Sequence, residues 1–298
     1  TNLRDQVFGE REHLLRTHIR AETDPRSKIV LVFGTSRAGN AFDTHRLEET
    51  LREETGEPVI AFNFAVPGEG PITQQIYLRR LLDRGIRPDF LIIEVLHAQY
   101  FDFGAPQESG TMIANRFLPS EGDFVARYGV PIKAYRKSTR ELWSNPWGEL
   151  RFPILLHVSE RLVPHDDCVD WNRTSDAWGW HPMPENHWGL DDPAACLQRM
   201  REPYEPVVRD FRANASAVRA LRDTLELCRK EAIEVMLVQL PESSEFRAWY
   251  TEESKHRLVD RFATIAREHG CKWVDAQTWV PDGNFLDGHH LLRRGAIL

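Results

Sequence analysis

The chain has no run of apolar residues long enough to cross a bilayer and no signal-peptide pattern at its start. It has no basic surplus either. Lys and Arg number 38 against 45 Asp and Glu, a formal charge of −7, so there is no basic stripe to neutralise phosphates and no nucleic-acid partner is expected. Cysteine is scarce: Cys168, Cys196, Cys228 and Cys271 are widely separated, form no metal-type pair and leave the redox compartment open. Cys228 falls on an apolar helical stripe and Cys271 just precedes a strand, which favours buried free thiols over bridges. There is no phosphate-cradling loop, and Gly68-Glu69-Gly70 lacks the spacing of a dinucleotide fingerprint, so no cofactor is expected. His165, His181, Glu185 and His187 follow no recognisable ligand motif, so no metal is expected. The chain opens at Thr1 rather than Met. That is compatible with a signal or membrane anchor removed ahead of it, and tips the expectation towards an extracytoplasmic or anchored protein.

What is present is ordinary globular composition, 41% hydrophobic and 28% charged over 298 residues, enough to bury a sizeable core. The apolar segments fall into a pattern. Residues 1–27 read as a polar lead-in helix. Lys28 to Phe33 reads as a strand with no period-2 alternation, as expected where both faces are covered. Gly34 to Asn40 is a turn, Phe42 to Thr55 a crossing segment, and Pro58 to Asn63 a second strand running into the glycine-rich loop Phe64 to Pro71. A helix from about Ile72 to Arg84 leads to a third buried strand, Phe90 to Val95. An amphipathic helix carrying Phe211, Ala215, Val218, Leu221, Leu225 and Cys228 precedes a fourth strand, Glu234 to Leu240. A further helix ends at Gly270, and Cys271 to Asp275 is a fifth strand. Strand and crossover in alternation predict a doubly wound parallel α/β sheet over 28–298. Between 97 and 203 the pattern fails. Trp, Pro and Gly are interleaved without period, which predicts an inserted helical or irregular lid. The sequons at Asn172 and Asn214 carry almost no weight.

The chemistry-bearing residues sit where strands end. Val30-Leu31-Val32-Phe33-Gly34-Thr35-Ser36 delivers a hydroxyl to the carboxyl end of the sheet, either as a nucleophile or as the cap of the next helix. Serine nucleophiles need a base, a carboxylate that orients it, and donors for the oxyanion. Asp287 and His290 lie together in a turn after the last strand, as a partner pair for Ser36 or as a surface acid and base. The N–H groups of Ser36 and Gly68 are candidate oxyanion donors. Arg37 is a candidate for a substrate carboxylate or for an ion pair. Glu242, Ser244, Glu245 and Arg247 are candidates to shape a pocket or to be a solvated loop.

These blocks resemble those of the SGNH (GDSL-type) hydrolases, a flavodoxin-like esterase superfamily. Phe33-Gly34-Thr35-Ser36 is similar to the first block, Asn63-Phe64-Ala65-Val66-Pro67-Gly68 to the second, and Asp287-Gly288-His289-His290-Leu291 to the last. The resemblance implies Ser36, His290 and Asp287 as a triad, with Gly68 as the oxyanion glycine. The Asp-x-x-His spacing selects His290 over the adjacent His289. The chain departs from the family at Thr35, where Asp is usual, and after the third strand, where Leu96-His97-Ala98-Gln99 replaces the expected Asn. His97 or Gln99 is then the candidate third oxyanion donor, each such donor being worth about 3 kcal/mol. The resemblance covers roughly 28–96 and 211–298 and implies hydrolysis of acyl esters, with O-acetyl groups on carbohydrate favoured. An acyltransferase acting on an extracellular glycan and a non-catalytic glycan-binding or assembly module are the alternatives.

Overall fold

In a computed structural model the description covers residues 5–103, 116–131, 175–183 and 192–298, with isolated positions between 133 and 155. The elements follow the expected order. Helix α1 (Gln6–Ala21) precedes β1 (Lys28–Phe33), then α2 (Ser36–Ala41), α3 (Thr44–Thr55), β2 (Val59–Asn63), α4 (Pro71–Asp83) and β3 (Phe90–Glu94). After the short helices α5 (His97–Tyr100) and α6 (Gly122–Ala126) come α7 (Pro193–Arg209), α8 (Ala215–Lys230) and β4 (Glu234–Gln239). The chain closes with α9 (Ser244–Arg247), α10 (Glu252–His269), β5 (Lys272–Asp275) and α11 (Arg293–Ala296).

The five strands are all parallel, in the order β2-β1-β3-β4-β5. This is the doubly wound, flavodoxin-like arrangement, with the switch in strand order between β1 and β3. Both faces are covered, which explains the missing alternation. Leu31, Phe33, Phe62, Leu91 and Leu237 face the larger core beneath α1, α4, α8 and α10, while Val30, Val32, Ala61, Ile92 and Val238 face a smaller one under α2 and α3. The first helix is part of that core: Phe8 and Leu15 are wholly buried, and Arg11 donates to the main-chain oxygens of Asn63 (3.1 Å) and Gly179 (2.6 Å).

Local chemistry sets the element ends. Asp43 caps α3, Gly56 ends it in the left-handed conformation, and Thr251 with Ser254 forms a capping box on α10. Asn214 caps α8 through Oδ1 and donates its amide to Asp102 (3.1 Å), so this sequon asparagine is a buried structural residue. Cys228 and Cys271 are free thiols, and the buried Cys196 sulfur accepts from Arg199 Nη2 (3.3 Å); Cys168 and Asn172 lie outside the described residues.

Two expectations need correction. The turn at 34–40 becomes helical from Ser36, because Thr35 supplies the cap and accepts from the Arg37 N–H. Irregularity also ends earlier than Pro203. Helix α7 starts at Pro193 under an Asp192 cap and runs through Pro203 and Pro206, the two residues that disguise it. Elsewhere in 97–203, residues 175–183 pack against the edge of the sheet. The Trp178 carbonyl accepts from Asn63 N (2.8 Å) and Thr44 Oγ1 (2.9 Å), and buried Trp180 donates Nε1 to the Asn40 carbonyl (2.9 Å). Most of the apolar stretch Trp143 to Leu156 lies outside the described residues. No helix among the described residues is long and apolar enough to cross a membrane.

Candidate active site

The carboxyl ends of the parallel strands carry four loops that meet. β1 ends at Phe33, and Gly34 gives the turn room: a Cβ there would stand 2.6 Å from Glu94 Oε2 and 2.6 Å from Ala38 Cβ. Glu94, the last residue of β3, uses Oε2 to accept from Thr35 N (2.7 Å) and Thr35 Oγ1 (2.9 Å). The turn is thus held by its neighbouring strand. Because Thr35 does the capping, the Ser36 hydroxyl is left for another partner.

That partner is 254 residues away. Ser36 Oγ lies 2.7 Å from His290 Nε2, and His290 Nδ1 lies 2.8 Å from Asp287 Oδ2. The other Asp287 oxygen, Oδ1, accepts from the main-chain N–H groups of His289 (3.2 Å) and His290 (2.9 Å), which fixes the carboxylate in the turn. Gly288 makes that turn possible. Its φ is +90°, and an added Cβ would stand 2.5 Å from Leu197 Cδ1. Burial pushes the Asp287 carboxyl up, but the attraction of His290 and the hydrogen bonds it donates outweigh this and hold the group below the usual carboxylate range. An ionised carboxylate can only accept, so His290 carries its proton on Nδ1 and presents the Nε2 lone pair to the Ser36 hydroxyl.

The second loop follows β2. The main-chain pairing of β2 with β1 continues past the strand, Phe64 N to the Val32 carbonyl (2.8 Å) and Val66 N to that of Gly34 (2.9 Å), so the segment leading to Gly68 is tied to the turn that bears Ser36. Gly68 lies in a turn closed by Glu69 N donating to the Val66 carbonyl (3.0 Å). Asn63 secures the same region, donating its amide to the carbonyls of Ala38 (3.0 Å) and Phe42 (3.1 Å).

Three candidate residues face the interior, Arg37 in the ion pair that was one of its two readings. Arg37 faces inward at 2% exposure, with Nη1 donating to Glu242 Oε1 (3.3 Å) and Glu94 Oε1 3.7 Å from Nε. Burial disfavours its charge, but these two carboxylates outweigh that and keep the guanidinium charged. It is an interior ion pair and not a surface anion site. His97 is also buried. Its Nδ1 meets Tyr250 Oη (3.0 Å), its ring packs against Tyr204, Phe246 and Tyr250, and burial, with Arg37 nearby, drives its pKa well below the usual histidine range. Gln99 is buried with its carboxamide oxygen unpartnered. Among the described residues no hydrogen bond joins His97 or Gln99 to Ser36, His290 or Gly68, because α5 turns both side chains into the interior.

In the loop after β4, Glu242 is wholly buried. Its Oε2 accepts from Gln277 Nε2 (2.8 Å) and its Oε1 from Tyr250 Oη (3.2 Å). Exposed Ser244 donates its N–H to Asp282 (2.7 Å), and Arg247 donates to the Gln277 carbonyl (3.0 Å). Glu242 and Arg247 are thus structural. Glu94, Tyr204 and Tyr250 were not among the candidates. The available signal was Glu94 itself, a carboxylate in the apolar strand Phe90-Leu91-Ile92-Ile93-Glu94, which needs a buried partner.

Among the described residues, Asp287, His289 and His290 form the one group able to hold a metal ion, their ligand atoms lying within 4.8 Å of one another. Ligation through His290 Nδ1 and the hydrogen bond from that atom to Asp287 exclude each other. His289 is buried with both ring nitrogens unpartnered, and burial drives its pKa well below the usual range. Of the other metal candidates, His165, Glu185 and His187 lie outside the described residues, and His181 is bound through its main chain to Gly39 (3.0 Å) and Asn40 (2.8 Å).

A family model described as a protein of unknown function (DUF1574) matches residues 1–124. No curated protein matches the chain. Among solved structures, a variant of the esterase AlinE4 is similar at 12% identity, covering 84% of this chain and 77% of its own, with a TM-score of 0.37. TesA is similar at 11% identity over 83% and 77%, with a TM-score of 0.35. BT4096, described as a gut microbial diltiazem-metabolizing enzyme, is similar at 10% identity over 86% of this chain and 38% of its own, with a TM-score of 0.32.

Proposed function

We propose that the protein is a serine ester hydrolase in which Ser36 is the nucleophile, His290 the general base and acid, and Asp287 the carboxylate that orients it. The observation that carries this reading is the pair of hydrogen bonds at 2.7 and 2.8 Å joining Ser36 to His290 and His290 to Asp287. Ser36 Oγ attacks the ester carbonyl while His290 Nε2 takes its proton. The tetrahedral oxyanion is received by the N–H groups of Ser36, at the first position of α2, and Gly68. The imidazolium, stabilised by Asp287, then gives its proton to the leaving alkoxide. A water molecule repeats the cycle and releases the acid.

As substrate we assign a small acyl ester, O-acetyl on carbohydrate, on the strength of the sequence resemblance and the Trp-rich middle of the chain. One observation favours a second reading, a non-catalytic glycan-binding module. The interior placement of His97 and Gln99 leaves the third oxyanion donor unassigned among the described residues.

A fluorophosphonate probe separates the two. Wild type is expected to be labelled and Ser36→Ala not. An unlabelled wild type, beside a serine esterase that reacts in parallel, would overturn the catalytic reading. With p-nitrophenyl acetate as donor and acetylated or free glycans present, release of free acetate identifies a hydrolase, and acetylated sugar a transferase.

A further inference from the structure

We propose that Arg37 is a positioning residue, holding the turn that carries His290 at the distance the Ser36 hydroxyl requires; the inference rests on the triad reading above. Arg37 follows Ser36 directly and is sealed from solvent. Its Nε donates to the main-chain oxygen of His289 (3.2 Å), the carbonyl of the peptide bond leading into His290. Its Nη2 donates to the carbonyls of Leu240 (3.2 Å) and Pro241 (3.1 Å), and its Nη1 to Glu242 (3.3 Å). One planar group thus ties the nucleophile's turn to the loop after β4 and to the loop after β5.

The chemistry suits arginine and no other side chain. A guanidinium spreads five N–H donors in a rigid plane and can serve several carbonyls and a carboxylate at once, whereas a lysine ammonium is a compact charge on a flexible stem. Burying it requires countercharges, and each of these also fixes a loop. Glu94 holds the Thr35 end of the turn, and Glu242 is itself anchored by Gln277 and Tyr250. A buried ion cluster of this kind stabilises a fold no better than apolar packing of the same volume. Its specific contribution here is geometric, because it sets the relation of two loops that come from opposite ends of the chain. Displacement of a catalytic group by about 1 Å costs about 100-fold in rate.

The test compares Arg37→Lys with wild type in thermal unfolding, fluorophosphonate labelling, turnover of p-nitrophenyl acetate and the proton NMR signal of His290 Nδ1–H, which is expected far downfield and is assigned by its loss in Asp287→Ala. A folded Arg37→Lys is expected to keep KM within about threefold, to lose about 30- to 100-fold in kcat and labelling rate, and to broaden or lose the downfield signal. Glu242→Gln keeps an acceptor for Arg37 but grips it less tightly; it is expected to lose about three- to tenfold in kcat at unchanged KM, and it carries the test if the Arg37 variant does not fold. A folded variant with wild-type labelling and an unaltered downfield signal would overturn the proposal, as would an activity loss that only tracks the unfolded fraction. If wild type is unlabelled but shows the downfield signal, and Arg37→Lys loses it, the positioning role stands and the hydrolase reading falls.

Discussion

The two ends of the sheet differ in kind. At the amino ends of β3, β4 and β5 lies a cavity of about 330 Å³ whose lining includes Phe90, Leu225, Cys228, Ala232 and Cys271. At the carboxyl ends, the end of β3 and the loops after β1, β4 and β5 interlock through Ser36, Arg37, Glu94, Glu242, Asp287 and His290. In an all-parallel sheet every strand hands its chain to a connection at the same end, so the loops that carry polar groups are gathered there. The connections into the strands are short and tight, such as Arg84–Gly85 closing on Arg80 to Leu82 and Ala232–Ile233 closing on Cys228 and Arg229.

The largest effect that would break this comparison is at Asp287. Asp287→Asn keeps the shape of the side chain but offers an amide to His290, favouring the tautomer with its proton on Nε2, where it cannot accept from Ser36. We expect kcat on p-nitrophenyl acetate to fall by about 10,000-fold with the fold retained. A kcat within about tenfold of wild type would remove the catalytic distinction between the two ends.

Much of the carboxyl end was legible in the sequence. β-branched and aromatic runs mark all five strands, and Gly34-Thr35-Ser36 and Asp287-Gly288-His289-His290 each follow one of them. The interior behind these loops was legible only at single residues, the carboxylate of Glu94 in an apolar strand and an ion-pair reading of Arg37, for a physical reason. Arg37, Glu94 and Glu242 look like surface residues by type, and only their mutual neutralisation, set by strand order, makes burial tolerable. Helix α7 was hidden by Pro203 and Pro206, which usually end helices. Which residue caps α2 was likewise undecidable between Thr35 and Ser36 from residue type alone.

A stability test sharpens the same contrast. Gly34→Ala would drive a methyl group against Glu94 and Ala38 at the carboxyl end, where both neighbours are fixed. We expect a loss of about 2 to 3 kcal/mol in urea unfolding. Loss of less than about 0.5 kcal/mol would mean that the turn yields and does not hold Ser36 rigidly.

The pH dependence of folding reports on the same interior. His97 and His289 are buried with folded pKa values below the unfolded value, so the unfolded chain binds more protons as pH falls. Stability is then greatest above about pH 6.5 and declines as pH falls below it. His289→Gln is expected to flatten about half of that slope. An unchanged slope in this variant would show that His289 does not stay neutral on folding.

The smallest effect belongs to the opposite end. The Cys228 thiol is pushed up to about 12 by burial and the Cys271 thiol is raised by the same cause, so neither is a thiolate near neutral pH. Cys271 lines the amino-end cavity, and its thiol makes a long contact, 3.7 Å, with the His269 carbonyl. Cys271→Ser is therefore expected to change stability by less than about 1 kcal/mol and kcat by less than about twofold. Parallel urea melts and esterase assays check both numbers. A tenfold fall in kcat without loss of fold would mean that the two ends are mechanically coupled through β4 and β5, and that the amino-end cavity takes part in setting the geometry at Ser36.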